Sequence, residues 1–282
     1  MKIQPQFPCN CSLNGKKSFL KSSLIVLVGS YILICSYFYL IQESIIFHPR
    51  ELPESAEYGY NFDFNERWFE PESNVKIHAI HAFTDPDSAK GLVMYLHGNQ
   101  GANRTNADTY TLFLDNGYDM IYPDYRSYGK SRGDLDNEDD LVGDIKYVFK
   151  EMAAIYGEKN IVLVGYSLGS GVAAQVAEDF NPKKLILWAP FYSLVDVKDS
   201  QFPFLPDALV KFPLRTDLAI QQIEEPIHIF YAGEDEVLPL EHSFKLTDYL
   251  KGGDSYKVIQ GQGHGGIYRH PELQEGLQRL LD

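Results

Sequence analysis

The chain has 282 residues, 44% of them hydrophobic and 23% charged, which allows one large core or two small ones and argues against a disordered or fibrous class. Its formal charge of −14 is unevenly spread: residues 1–42 hold Lys2, Lys16, Lys17 and Lys21 and no acid, leaving 21 basic against 39 acidic residues beyond them. So acidic a body, with no basic patch interleaved with aromatics, argues against nucleic-acid binding.

All three cysteines, Cys9, Cys11 and Cys35, precede residue 36. The rest of the chain therefore has neither disulfide nor thiol chemistry, and cysteine usage says nothing of the redox compartment. Cys9 and Cys11 read as incidental thiols in a tail, with acylation or metal binding as the alternative.

Ser22 to Ile41 runs 20 residues without a charge, a helix of roughly 30 Å and so the thickness of one hydrocarbon core. Lys16, Lys17 and Lys21 precede it and Glu43 follows. The lysine bias predicts a single-pass signal anchor with the amino terminus in the cytoplasm and the body exported. A cleaved signal peptide fits less well, because no A-x-A-like site follows. The bulky Ile34 before Cys35 weakens a lipoprotein match. The expected organisation is a tail over 1–21, a transmembrane helix over 22–42, a linker over 43–58 and a catalytic body over 59–282.

In the body, the runs at 62–70 and 75–83 read as antiparallel strands. Those at 91–98, 118–125, 161–167, 184–190, 227–233 and 255–261 are buried strands. Helical patterns fall between them at 103–115, 138–156, 168–179, 239–251 and 271–281. Continuous apolar strands alternating with helices predict an α/β fold, with a mostly parallel eight-stranded sheet covered on both faces. One region breaks the alternation. Residues 191–222, rich in proline and phenylalanine, have the length and place of a lid insertion.

Ligands of such sheets sit beyond the carboxyl ends of the strands, and four features fall there. The first is Gly165-Tyr166-Ser167-Leu168-Gly169, a strand–turn–helix in which small residues let the elements approach and expose the serine hydroxyl. It also puts the N–H of Leu168 at a helix start, where a developing oxyanion would be held. A serine needs an oriented base, and among eight histidines only His264 lies in a loop after the last strand. His78 and His81 lie three apart on one strand, hence on opposite faces, which argues against a shared metal. The acid should come from Glu234, Asp235 and Glu236, and Asp235, four residues before Pro239, is the choice. After the third strand comes His97-Gly98-Asn99, where the N–H of Asn99 would pair with that of Leu168. The Asn103-Arg104-Thr105 sequon reads as coincidental, since a glycan there would crowd the site.

With these features in place, the chain resembles the α/β-hydrolase superfamily, in particular membrane-anchored serine hydrolases related to protein depalmitoylases and their bacterial homologues. The stretches that carry the resemblance are SIIFHP, HGNQGAN, DYRSYGKSRG, GYSLGSG, AGEDEVLP and GQGHGGI, spread over most of 44–282. The resemblance implies Ser167 as nucleophile, Asp235 as acid, His264 as base, and Asn99 and Leu168 as the oxyanion hole. Departures are Ser127 where relatives commonly have glycine, Ala232 likewise, and Gly265-Gly266 in place of a more polar pair.

The function expected is hydrolysis of a carboxylic ester or thioester of acyl or lipid-like character, with no metal or cofactor. The alternatives are a peptidase or amidase on the same triad, and a non-catalytic binding module of this fold. Phe202, Phe204, Leu205, Leu209 and Phe212 in the insertion would either line an acyl site or pack over the core. The export predicted from the lysines conflicts with action on cytoplasmic palmitoyl-proteins.

Overall fold

The computed structural model describes residues 13–87, 89–104 and 107–282, with the side chains of 13–18 and of Ala107 outside that description. The candidate thiols Cys9 and Cys11, and Thr105 of the sequon, lie outside the described residues. Two units are distinguished, divided between Gln42 and Glu43.

Among the described residues the first unit is a single helix, the greater part of α1 (Leu13–Ile46). Within its stretch Phe19–Ile46 an 18-residue window has mean hydropathy 2.3, and none of that window is buried. At 1.5 Å per residue, 28 residues span roughly 42 Å, long enough to cross a bilayer. Cys35 is a free thiol within this helix.

The second unit is built on one eight-stranded sheet. Its strands are β1 (Phe64–Phe69), β2 (Ile77–Ala82), β3 (Leu92–Leu96), β4 (Asp119–Pro123), β5 (Ile161–Tyr166), β6 (Lys184–Trp188), β7 (Ile227–Ala232) and β8 (Ser255–Ile259). Their spatial order is β8-β7-β6-β5-β3-β4-β2-β1. β1 and β2 pair antiparallel, β2 runs antiparallel to β4, and every other pairing is parallel. β3, β4 and β7 are buried at every position, as helices on both faces require. Chain order reverses around β3 and β5, and such a switch opens a crevice at the strands' carboxyl ends.

The helices that cover the sheet are α2 (Ala107–Leu114), α3 (Glu138–Tyr156), α4 (Leu168–Asp179) and α8 (Pro271–Leu281). Their ends follow local chemistry. Asn137 caps α3 by accepting the Asp140 N–H at 3.0 Å, three acids occupy its first turn, and Gly157 ends it at φ 80°, the conformation a side chain resists. His270 caps α8 through Nδ1, with Pro271 at its first position.

Two helices differ from the sequence expectation. The pattern over 103–115 corresponds to a described helix over Ala107–Leu114, and Asn103 and Arg104 lie in a turn ahead of it, with the Asn103 N–H bonded to the buried Asp124 carboxylate. The pattern over 239–251 splits into a short α7 (Leu240–Ser243) and a 3-10 turn over Phe244–Tyr249. There the Thr247 hydroxyl donates back to the Phe244 carbonyl at 2.7 Å, a bond that competes with regular helix. The insertion carries α5 (Leu194–Gln201) and α6 (Thr216–Ala219), joined by a 3-10 turn at Asp207–Leu209.

Candidate functional site

β5 ends at Tyr166 and α4 starts at Leu168, which leaves Ser167 alone to turn the chain at φ 50° and ψ −119°. A positive φ costs a non-glycine residue of order 1–3 kcal/mol and persists where its surroundings enforce it. Here the Ser167 N–H donates to the Trp188 carbonyl of β6 at 3.0 Å. Its carbonyl accepts from the N–H and the hydroxyl of Ser170 at 2.8 and 2.6 Å. Both flanking glycines are dictated by space. A Cβ on Gly165 would lie 2.4 Å from the Gly169 carbonyl oxygen, and one on Gly169 would lie 2.1 Å from that of Leu96.

The Ser167 hydroxyl that this turn presents is 2.9 Å from Nε2 of His264. Nδ1 of the same ring is 2.7 Å from Oδ2 of Asp235. The other carboxylate oxygen of Asp235 accepts the N–H groups of Val237 and Leu238 at 3.0 and 2.7 Å. The structure thus brings together three residues from the ends of β5, β7 and β8. Of the three neighbouring acids, Asp235 faces the imidazole, whereas Glu236 accepts the backbone N–H of His264 at 3.1 Å, a bond that lowers the Glu236 pKa.

The other histidines are engaged elsewhere. His78 meets Glu66, His81 meets Tyr156, His228 meets Ser255 and His242 meets Asp196. Burial pushes His78 and His81 down to about 4, so both stay neutral at ordinary pH.

Asn99 follows the end of β3. Nδ1 of the buried His97 is 2.7 Å from the Gly98 carbonyl; a carbonyl only accepts, so Nδ1 carries the proton. In a trans peptide the Gly98 C=O and the Asn99 N–H share a plane and point in opposite directions. Holding one therefore aims the other. The Leu168 N–H, first in its helix, has no acceptor within the helix.

The chain is similar to known proteins. Residues 87–217 match the family described as serine aminopeptidase, S33. The lysophosphatidylserine lipase ABHD12 of Xenopus tropicalis is 27% identical over 96% of this chain and 87% of its own. That of Danio rerio is 25% identical over 96% and 86%. Among solved structures, the esterase Pf2001 of Pyrococcus furiosus superposes with a TM-score of 0.67 at 20% identity, covering 83% of this chain and 98% of its own. Together these matches support a serine hydrolase of the α/β-hydrolase superfamily. The chain is a serine hydrolase.

Sequence reasoning missed several supports of the hydrolase's site. Tyr166, the variable residue of the Gly-x-Ser-x-Gly turn, stacks on the His264 ring at 5.5 Å and donates its hydroxyl to the His264 carbonyl at 2.9 Å. Behind Asn99, the fully buried Asp124 accepts the Asn103 N–H, and burial raises its pKa well above the usual range. Gly129, at φ 52°, wraps this carboxylate so closely that a Cβ would overlap it. Ser127 stands at φ 65°, a conformation that suits glycine. Asn103 of the sequon is itself fully buried, with Nδ2 3.2 Å from the His78 ring, and no glycan fits there.

The five apolar residues singled out in the insertion do not share one role. Phe212 is fully buried and Leu205 nearly so, whereas Phe204 is exposed. A narrow crevice with a cavity volume of about 10 Å³, no more than a water molecule needs, lies between α5 and the segment after Asp235, with Phe191, Val197, Val237, Leu238 and Pro239 in its walls. Asp196 closes one side, bound to His242 and Lys245 at 3.0 and 3.1 Å.

Proposed function

We propose that this hydrolase is a membrane-associated lipase of single-chain lipids, cleaving the acyl ester of a lysophospholipid. The observation that carries this reading is the unbroken line of hydrogen bonds from Asp235 through His264 to Ser167. Its relatives over nearly the whole chain, apolar helix included, are named lysophosphatidylserine lipases.

In the reaction His264 Nε2 takes the Ser167 proton as Oγ attacks the ester carbonyl. Asp235 holds the imidazole in the required tautomer and stabilises the imidazolium. The tetrahedral oxyanion is held by the N–H groups of Asn99 and Leu168. Collapse expels the glycerol-side alcohol, which receives its proton from His264. Water, deprotonated by the same nitrogen, then attacks the acyl-serine and releases the fatty acid. The acyl chain lies along the apolar residues of the insertion over 191–222, which serves as its lid, and the narrow crevice beside Asp235 must widen to admit it. Lys16, Lys17 and Lys21, ahead of the uncharged stretch Ser22–Ile41, favour an amino terminus in the cytoplasm and a catalytic unit outside.

The test uses the full-length protein in mixed micelles with lysophosphatidylserine, lysophosphatidylcholine, a palmitoyl thioester and a peptide amide. Ester cleavage is expected to dominate. kcat/KM should rise by up to about four-fold for each methylene the protein buries, as roughly 0.8 kcal/mol per buried CH₂ predicts. In intact cells, substrate supplied outside should be cleaved without lysis. Faster peptide cleavage, or rates indifferent to chain length, would contradict the lipid reading.

A further inference from the structure

The stretch Ser44-Ile45-Ile46-Phe47-His48-Pro49 has no part in the mechanism above, yet it is bonded to Asn99 on two sides. The Asn99 amide Nδ2 donates to the Ile46 carbonyl at 3.0 Å. The Asn99 carbonyl accepts the His48 N–H at 2.9 Å and the Tyr128 hydroxyl at 2.8 Å. His48 and Pro49 then pair in parallel with Gln100 and Gly101, and the Arg50 N–H reaches the Gly101 carbonyl at 3.1 Å. With its carbonyl and side chain both occupied, Asn99 has its backbone N–H left for the oxyanion.

The same few residues also hold the far end of the insertion. The Phe47 ring is buried and meets Phe212 edge-on at 4.8 Å. Beside it Glu43 forms an ion pair with Lys211. A segment of eight residues, Glu43–Arg50, therefore grips both the oxyanion loop and the root of the insertion. It begins where the apolar helix unit ends.

We propose that Glu43–Arg50 is a positioning element of the active site, through which the chain leaving the membrane anchor sets the direction of the Asn99 N–H. This rests on the reading of Asn99 as an oxyanion donor. The segment touches no reacting atom. It acts by fixing the Asn99 side chain and the peptide that follows it, while His97 holds the peptide before it; a displacement near 1 Å there costs about 10²-fold in rate. It also follows that the geometry of the hole depends on how residues 43–48 are held.

The experiment uses the full-length protein in detergent with a short soluble ester, comparing wild type, Asn99→Ala, Phe47→Ala, Phe47→Leu and Ser167→Ala. Asn99→Ala keeps the backbone N–H and loses only the bond to Ile46. The expected result for Asn99→Ala and Phe47→Ala is a kcat lower by about 10- to 100-fold per titrated site, with KM within about two-fold. Phe47→Leu should recover most of the loss. A purely structural role would lower the melting temperature and leave kcat per active site unchanged, and that result overturns the proposal. If Phe47→Ala does not fold, Asn99→Ala decides alone. Ser167→Ala separates the two levels. Turnover persisting in Ser167→Ala defeats the reading of the site itself, whereas an inactive Ser167→Ala beside a full-rate Asn99→Ala defeats this inference only.

Discussion

Asp235→Asn is expected to lower kcat on a soluble ester by about 10⁴-fold, and Ser167→Ala or His264→Ala by 10⁴-fold or more, with the fold intact. The reason lies in the proton positions. Asp235 accepts three hydrogen bonds, from Val237, Leu238 and the His264 ring. An asparagine offers one oxygen and one NH₂ group in their place. Either the ring loses its acceptor at Nδ1 or the loop loses its own, and in the first case Nε2 carries the proton and cannot take another from Ser167. Because the three residues act as a unit, the double variant Ser167→Ala/His264→Ala should be no slower than either single one. Steady-state rates on protein of unchanged circular dichroism check this. Losses below ten-fold in Ser167→Ala or His264→Ala would show that these groups do not carry the chemistry.

Gly169→Val is expected to prevent folding, and Gly169→Ala to cost about 3 kcal/mol or more, because overpacking against backbone finds no side chain to move aside. The Cβ would meet the Leu96 carbonyl at 2.1 Å and that of His97 at 2.7 Å. α4 and β3 would have to separate, and β3 leads directly into His97, Gly98 and Asn99. Activity should therefore fall further than stability alone explains. Gly143 provides the contrast. It lies exposed in α3 with nothing within 4 Å of a Cβ, and Gly143→Ala should stabilise the protein by up to about 1 kcal/mol. Urea unfolding of the three variants measures both signs. A Gly169→Ala protein as stable and active as wild type would mean that the approach of α4 to β3 is not obligatory.

How far the sequence could be read depended on the range of the interactions. α3 and α4 match their expected limits because Asn137, Gly157 and the Ser167 turn are local signals carried by the residues themselves. The strands were legible for a similar reason, since burial on both faces leaves an uninterrupted apolar run. Ser167, Asp235 and His264 could be singled out because the fold puts reactive groups just past strand ends, although choosing Asp235 among three acids needed more than spacing. What stayed hidden is tertiary. Two-residue pairings such as His48–Pro49 with Gln100–Gly101 have no periodicity to betray them. The bonds from Tyr166 and Glu236 to His264 cross 98 and 28 residues. The burial of Phe212 depends on Phe47, which sequence reading placed in a linker.

The most direct measurement is mass-spectrometric mapping of the adduct left by a fluorophosphonate on the full-length protein. A single adduct on Ser167, absent from His264→Ala, is the expected result. An adduct on another residue, or none on a preparation that hydrolyses esters, would contradict the assignment of Ser167 as the nucleophile.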